Sequence, residues 1–555
     1  MLRLPFNALF NVLIALRFGL GWLFRQLPFR RPPIAVWVRV HGDLPYLMEP
    51  RRVPVFFRWL NPVKRRHPQD ATSLRQLSRD LAVLAKEKHV RALVVHLESF
   101  EGSGATLTAL TQAAQFFREQ NKPVWGYSRM ATTGEYRFFA GLDKFLLGPG
   151  GRLELAGYQA EVLSLKNTLG LVGVRPQFVR RGEFKTAPEM FTRDRISPAQ
   201  EQTLSTILDE RAEVLTQAIA LGRHLPVPEA KDAIDHGPYS GKRAKEAHLA
   251  DGVADPREIE EQLKEQIGKN LESVPYGHLE GYAQALRPKF RPMRRPRYSA
   301  VVPVRGLINL GDGRTGSGPK VAGSDSVVAS LEQAAEDKSA RSILLYIDSG
   351  GGSAIASELI HAAVKRAAKE KPVIAYFDKI AASGGYMAAV GAKEIWCAPE
   401  ALAGSIGVFA GKFDVEGLLG FLQVGVDAIR RGTNAGMYSL MRPWSESELA
   451  VMEREVEETY RDFVHLVAEG RRTTDEAIHA VGEGRVFTGT RAHQAKLVDG
   501  LCDFATAINK VHALGGLEPD APLAWVDASP RVVSPLSLLR GNARQYLWAL
   551  AEPLL

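Results

Sequence analysis

The sequence predicts an α/β fold made twice, with mostly parallel sheets flanked by helices. Three observations carry this. Apolar runs of strand length alternate with longer helical patterns, the order of these elements recurs at a nearly constant offset, and a Pro/Arg-rich stretch separates the two halves.

At 555 residues, 45% hydrophobic and 24% charged, the chain is long enough for two domains of similar size. Strand-like runs open the halves at Ile34 to Val40 and at Ala300 to Ile308. Ala92 to Leu97 is apolar and leads into Glu98-Ser99-Phe100-Glu101-Gly102-Ser103; Ile343 to Ile347 leads into Asp348-Ser349-Gly350-Gly351-Gly352-Ser353. Each half then gives a helical pattern and a Lys-Pro-Val strand entry, at Lys122 and at Lys371. Ala131-Thr132-Thr133-Gly134-Glu135-Tyr136 faces Ala381-Ala382-Ser383-Gly384-Gly385-Tyr386 at an offset of 250, and Arg180-Arg181-Gly182 faces Arg430-Arg431-Gly432 at the same offset. Near the ends, the segment from Gly241 faces the one from Gly489 at an offset of 248. Glu446 to Val467 is a long helical pattern.

These features divide the chain into a segment 1–33 that anchors in or lies on a membrane, a first domain 34–286, a linker 287–297, a second domain 298–515, and a tail 516–555 with an amphipathic pattern. The linker cannot continue a helix through its prolines, and its arginines repel one another. From Pro5 to Phe24 the chain is almost wholly apolar, interrupted by Asn7, Asn11 and Arg17, and no Ala-x-Ala pattern follows to mark cleavage. The flanking Arg25, Arg30 and Arg31 favour a cytoplasmic position for that flank, so the sequence leaves the side of the membrane open.

The formal charge is +9, yet no nucleic-acid module and no basic stripe interleaved with aromatics is found. Basic residues crowd between Arg25 and Arg66, which suits a surface near anionic lipid. Cys397 and Cys502 lack metal-ligand spacing and read as thiols, so neither a metal nor another cofactor is expected. Gly311-Asp312-Gly313-Arg314-Thr315-Gly316 has dinucleotide-like spacing, but no helical pattern follows at once, and a mobile rim loop is the better reading. His41, His96 and His465 read as structural or surface histidines, and no G-x-S-x-G elbow occurs.

The candidate nucleophile is Ser383, at a strand-to-helix turn followed by Gly384 and Gly385. There a carbonyl can approach the backbone closely and helix N–H groups can hold a developing oxyanion. The competing reading is a helix-capping serine. Mismatches between the halves favour the nucleophile: the first half has Thr133 at this position, and Phe100-Glu101-Gly102 in place of Gly350-Gly351-Gly352. Conversely Lys185 faces Ala435, so the first half holds a lysine that the second lacks. A lysine serves as base only if burial brings its pKa from about 10.4 toward neutrality, with no carboxylate paired to it. Glu183 and Glu189 are the nearby competitors for that pairing. Oxyanion donors are expected at Gly351, Gly352 and Gly384.

From about residue 34 to 512 the chain resembles the long, duplicated form of the S49 serine peptidases. The matching pieces are Asp348 to Gly352, Ala382 to Tyr386, Gly404-Ser405-Ile406-Gly407-Val408 and Phe184-Lys185-Thr186-Ala187. One departure is Gly350, where the family usually has Pro, which leaves that loop less rigid. The resemblance implies a ClpP/crotonase-like fold, a Ser383–Lys185 dyad, and Ser405 hydrogen-bonded to the lysine amine to orient it. It also implies a homotetramer on the bacterial inner membrane, with its catalytic body on the periplasmic side, that digests signal-peptide remnants and other small hydrophobic peptides or membrane-protein segments. The rival readings are a crotonase-like acyl-CoA enzyme and a non-catalytic membrane scaffold.

Overall fold

The computed structural model describes residues 8–16, 18–19, 32–42, 44, 73–102, 104–286, 296–316 and 319–532. Residues 8–16 and 18–19 are helical, with Leu9, Phe10, Val12, Leu13 and Leu16 exposed. Among the described residues no helix is long and apolar enough to cross a membrane. Most of the expected anchor, most of the basic crowd before Arg66, most of the linker and the tail from 533 onward lie outside the described residues.

The chain forms two compact units. One comprises Met1–Gln159 and Asp209–Pro296, the other Ala160–Leu208 and Arg297–Leu555. Each holds a sheet that is mostly parallel.

The strands up to residue 275 are β1 (Ile34–Gly42), β2 (Val90–Phe100), β3 (Val124–Thr132), β4 (Lys144–Glu154), β5 (Arg175–Arg181), β6 (Tyr239–Ser240), β7 (Gly252–Val253) and β8 (Glu272–Pro275). The first unit's sheet runs β6-β4-β3-β2-β1-β8, with β7 also on β4. Its strands are buried on both faces. Val36, Val38 and Val40 join one core with Leu93, Val95 and Leu97, while Ala35 and Trp37 join the opposite core with Ala92 and Val94. The helix Leu74–Leu84 covers the first face through Leu74, Leu77, Leu81 and Leu84; Pro256–Ile267 covers the second through Ile259 and Leu263. Each such side chain contributes about 1.5–3 kcal/mol when fully buried.

The remaining strands are β9 (Tyr298–Asn309), β10 (Thr315–Gly316), β11 (Val321–Gly323), β12 (Ala340–Gly352), β13 (Val373–Ala382), β14 (Glu394–Cys397), β15 (Leu402–Gly404), β16 (Val408–Asp414), β17 (Val486–Thr488), β18 (Gly500–Leu501), β19 (Leu523–Trp525) and β20 (Arg531–Val532). The second unit's main sheet runs β11-β9-β12-β13-β14-β18, with β15 on β13 and β19 on β9. Parallel pairing of β9, β12 and β13 repeats that of β1, β2 and β3, which is the duplication made structural.

A second, antiparallel sheet pairs β5 with β16, from Arg181 against Val408 to Arg175 against Asp414. It packs with Met437, Met452 and Val456; its Phe178 stacks on Phe191 of the helix Glu189–Thr192, Phe413 stands edge-on to both, and Phe409 is tilted against Phe178. The predicted helix Glu446 to Val467 runs on to Arg471, opened by a capping box between Ser445 and Glu448 and closed by Arg472 in the left-handed region.

The glycine-rich stretch from Gly311 is pinned: the N–H groups of Gly311 and Gly313 donate to Ser324 and Ser326 Oγ at 3.1 and 2.9 Å. The expectation of a loosely held rim loop did not foresee these serines, which stand in a later helix. Both cysteines are free thiols; Cys397 is buried and Cys502 partly so.

Candidate functional site

β13 extends to Ala382, so Ser383 sits at the junction with the helix Gly384–Ala389. Its backbone has φ 54° and ψ −121°, a left-handed conformation that costs a non-glycine residue on the order of 1–3 kcal/mol. The Ser383 hydroxyl makes no capping bond to that helix. The first half shows the alternative. There Thr132 caps the helix Thr133–Ala140 in a box with Glu135, and the Thr133 hydroxyl donates to the Glu154 carbonyl at 2.9 Å. The capping role is thus filled in one copy and vacated in the other.

Ser405 reaches Ser383 through sheet register. β13 and β15 pair Ile380 with Leu402, Ala381 with Ala403 and Ala382 with Gly404, and the Ser383 N–H donates to the Gly404 carbonyl at 2.8 Å. The next residues along the two parallel strands are Ser383 and Ser405, which explains a spacing of 22 in sequence. Ser405 also has a positive φ, 53°.

Lys185 arrives by the other sheet. β16 begins shortly after Ser405, β5 pairs with it, and the chain leaving β5 turns at Gly182, where φ is 106°. Lys185 is 4% exposed. Its Nζ lies 2.9 Å from Ser383 Oγ, and 3.0 Å from both the carbonyl and the Oγ of Ser405. Burial alone brings its pKa from 10.5 to about 7. The competing carboxylates are elsewhere. Glu189 accepts from Arg180 at 2.7 Å and lies 3.5 Å from Arg193, while Glu183 is exposed. Arg180 also donates to the Lys185 carbonyl at 3.1 Å, so the same guanidinium holds the lysine backbone and occupies Glu189.

The glycine turn borders the nucleophile. Gly351 has φ 102°, and a Cβ there would stand 2.9 Å from Ser383 Cβ and 2.8 Å from the Gly384 nitrogen, so only glycine fits. Its N–H donates to Ser349 Oγ at 3.1 Å, and that hydroxyl donates to the Gly306 carbonyl at 2.6 Å. Gly352 closes β12 beside Ile308, and Gly384 opens the short helix, where its N–H has no intrahelical partner.

Two positioning elements escaped the sequence reading. Ser349 fixes the glycine turn. The segment Glu483 to Arg485 lies between the lysine and Ser405: the Glu483 carbonyl accepts from Phe184 N–H at 2.8 Å, Gly484 N–H donates to the Ile406 carbonyl at 2.6 Å, and the Arg485 carbonyl accepts from Ser405 N–H at 2.7 Å. A Cβ on Gly484 would stand 2.3 Å from the Lys185 nitrogen. The glycines at 482 and 484 were the available signal.

A hydroxyl on a strained turn, a desolvated amine in contact with it, and a glycine turn alongside are the equipment of a serine hydrolase. Comparison with known proteins narrows the class. The sequence pattern of Peptidase family S49 matches residues 116–270 and again 365–518. Protease 4 of Salmonella typhi is 29% identical over 442 residues, 78% of this chain and 70% of that protein. Protease 4 of Haemophilus influenzae is 27% identical over 77% of this chain and 70% of its own length. The chloroplastic serine protease SPPA of Arabidopsis thaliana is 25% identical over 79% of this chain and 65% of its own length. A solved ClpP1 variant from Listeria monocytogenes covers 38% of this chain and 94% of its own at 14% identity, with a TM-score of 0.24, too slight a likeness to bear on the fold. The chain belongs to peptidase family S49, in its long, duplicated form.

Proposed function

We propose that this serine peptidase is a membrane-associated endopeptidase that uses Ser383 and Lys185 as a dyad and degrades cleaved signal peptides and other small hydrophobic peptides. The observation that carries the reading is the buried Lys185 amine, in contact with Ser383 Oγ and drawn to a pKa of about 7 by desolvation alone.

The three oxygens around Nζ accept the three N–H groups of an ammonium, and they suit the neutral amine, which the lowered pKa makes accessible near pH 7, equally well. The neutral amine has two N–H groups and one lone pair. In that form the N–H groups are donated to the Ser405 carbonyl and Oγ, each at 3.0 Å, leaving the lone pair for the Ser383 proton at 2.9 Å. Ser383 Oγ attacks the scissile carbonyl as Lys185 takes its proton. The oxyanion is held by the N–H groups of Gly384 and Gly352, because the Gly351 N–H expected from the sequence is already donated to Ser349 Oγ. Lys185 then returns the proton to the leaving amine, the peptide bond breaks, and water hydrolyses the acyl-enzyme by the same route. Ser405 orients the amine throughout.

Membrane association is supported by the exposed apolar side chains of residues 8–16 and, in the second unit, of Leu171, Val172, Phe421, Leu422 and Ile429. Self-association into a homotetramer on the periplasmic side of a bacterial inner membrane belongs to the same proposal. A fluorophosphonate probe tests the chemistry. The expected result is one labelled residue, Ser383, in the unaltered protein, and no labelling in Ser383→Ala or Lys185→Met. Labelling that persists in Lys185→Met overturns the dyad.

A further inference from the structure

The first unit contains a cavity of about 280 Å³ on the sheet face that the helix Pro256–Ile267 covers. β1 contributes Trp37 and Arg39, β2 His96, β3 Arg129 and β8 Ser273. His96 is 6% exposed, and burial lowers its pKa to about 4, so the imidazole is neutral. Its rings are accounted for by edge-on contacts with Trp37 and Tyr127, yet its Nε2 meets no hydrogen-bond partner among the described residues, nor does the buried Ser273 Oγ. Two buried polar atoms beside one cavity are a cost that a bound polar group removes.

The charges say what kind of group. Arg39 is held by Glu98 through a 2.7 Å bond from Nε, and Arg129, with a side chain 69% exposed, stands 3.6 Å from the other oxygen of Glu98. Glu260 on the wall is paired with Lys264 at 2.6 Å. Glu98 is held by Arg39, which leaves Arg129 as the exposed guanidinium at the cavity's edge. A planar carboxylate matches the fork of that guanidinium. Trp37, Pro256 and Pro275 supply apolar walls for what the carboxylate is attached to.

The duplication provides the control. His96 faces Tyr346 at the offset of 250, and in the second unit this corner is filled. The Arg305 guanidinium lies 4.7 Å from the ring centres of both Tyr346 and Trp525, Phe504 packs edge-on to Tyr346, and the Tyr346 hydroxyl donates to Asp378 at 2.7 Å. One copy closes the corner with stacked side chains and the other leaves it open and lined with hydrogen-bonding atoms.

We propose that this cavity binds the free α-carboxylate of a short apolar peptide, the form in which an endopeptidase leaves its products. Arg129 takes the carboxylate, His96 and Ser273 hydrogen-bond the polar end of the peptide, and Trp37 receives the side chain. The source of the ligand rests on the peptidase reading; the carboxylate chemistry rests on the cavity. Calorimetric titration of the full chain in detergent, in a Ser383→Ala background, with N-acetyl-Ala-Leu-Ala as free acid and as C-terminal amide tests it. The expected result is binding of the acid at least about tenfold tighter than the amide, with Arg129→Gln and His96→Phe each weakening the acid by a similar factor. Because Arg129 is exposed, its replacement leaves folding intact even if His96→Phe does not. Equal affinity for acid and amide, no effect of Arg129→Gln, or inorganic phosphate competing as well as the peptide acid overturns the inference. Fluorophosphonate labelling of unaltered protein reports separately on the peptidase reading, so the two failures are distinguishable.

Discussion

Lys185 Nζ stands 2.9 Å from Ser383 Oγ although 198 residues separate them in the chain. No carboxylate contributes to the lysine's electrostatics, and burial is the sole cause of its lowered pKa. The consequences of that one contact are measurable.

Replacing Lys185 by Met is expected to lower kcat/KM on a peptide substrate by about 10²- to 10⁴-fold, the usual contribution of a positioned general base. The same change is expected to raise thermal stability. The unfolded chain keeps the lysine proton up to about pH 10.5, whereas the folded chain releases it near pH 7. Burial therefore opposes folding in full at and below pH 7, and the penalty fades as pH rises toward 10.5. Calorimetry should show Lys185→Met melting above the unaltered protein at pH 6, with the difference shrinking toward pH 10. A lower Tm at pH 6 contradicts a desolvated amine.

The rate of the unaltered enzyme should depend on one proton. With the amine active only when neutral, kcat/KM is expected to rise about tenfold per pH unit below 7 and to level off above it. A midpoint near 10 in a pH–rate profile would mean a solvated or ion-paired lysine.

Ser405→Ala removes one of the two acceptors that fix the amine. Its hydrogen bond is worth about 1 kcal/mol to stability, so the fold should survive. The loss should fall on kcat, by about 10- to 100-fold, because the lone pair is no longer held toward Ser383. Steady-state kinetics showing a change mainly in KM would assign Ser405 to substrate binding instead.

Gly484→Ala tests the support behind the lysine. The new methyl must displace the Lys185 backbone from 2.3 Å at a residue whose φ is 82°. An ångström of misplacement typically costs about 100-fold in rate, and that loss is expected with an unchanged circular dichroism spectrum. Gly420→Ala is the control: it sits in the helix Glu416–Phe421 with nothing within 4 Å of its Cβ, and should leave kcat unchanged.

Much of this was legible before any coordinates. Ser383 announced itself by the Gly-Gly that follows it, and Lys185 by the loss of its partner at Ala435, since divergence between copies leaves such asymmetries. The strands of both sheets were visible as apolar runs because parallel strands covered on two faces carry little else. Other features were not legible. β5 and β16 occupy different places in the two halves, since the offset of 250 sets β5 against residues 425–431, and nothing in periodicity announces an antiparallel partner more than 200 residues away. The role of Gly484 depends on a close backbone approach, which leaves no trace beyond the glycine itself. His96 looked like any core histidine, because its unsatisfied nitrogen exists only once Trp37 and Tyr127 are folded around it.

The segment Ala160–Leu208 is written in the first copy of the gene but folds with the second. A truncated product starting near residue 297 would carry a hydroxyl with no base to deprotonate it, and the preceding portion would carry a base with nothing to act on. Split expression should accordingly yield two inert polypeptides whose activity returns only on mixing. Once the copies became so interdependent, neither could be shed or shuffled into another protein without silencing both.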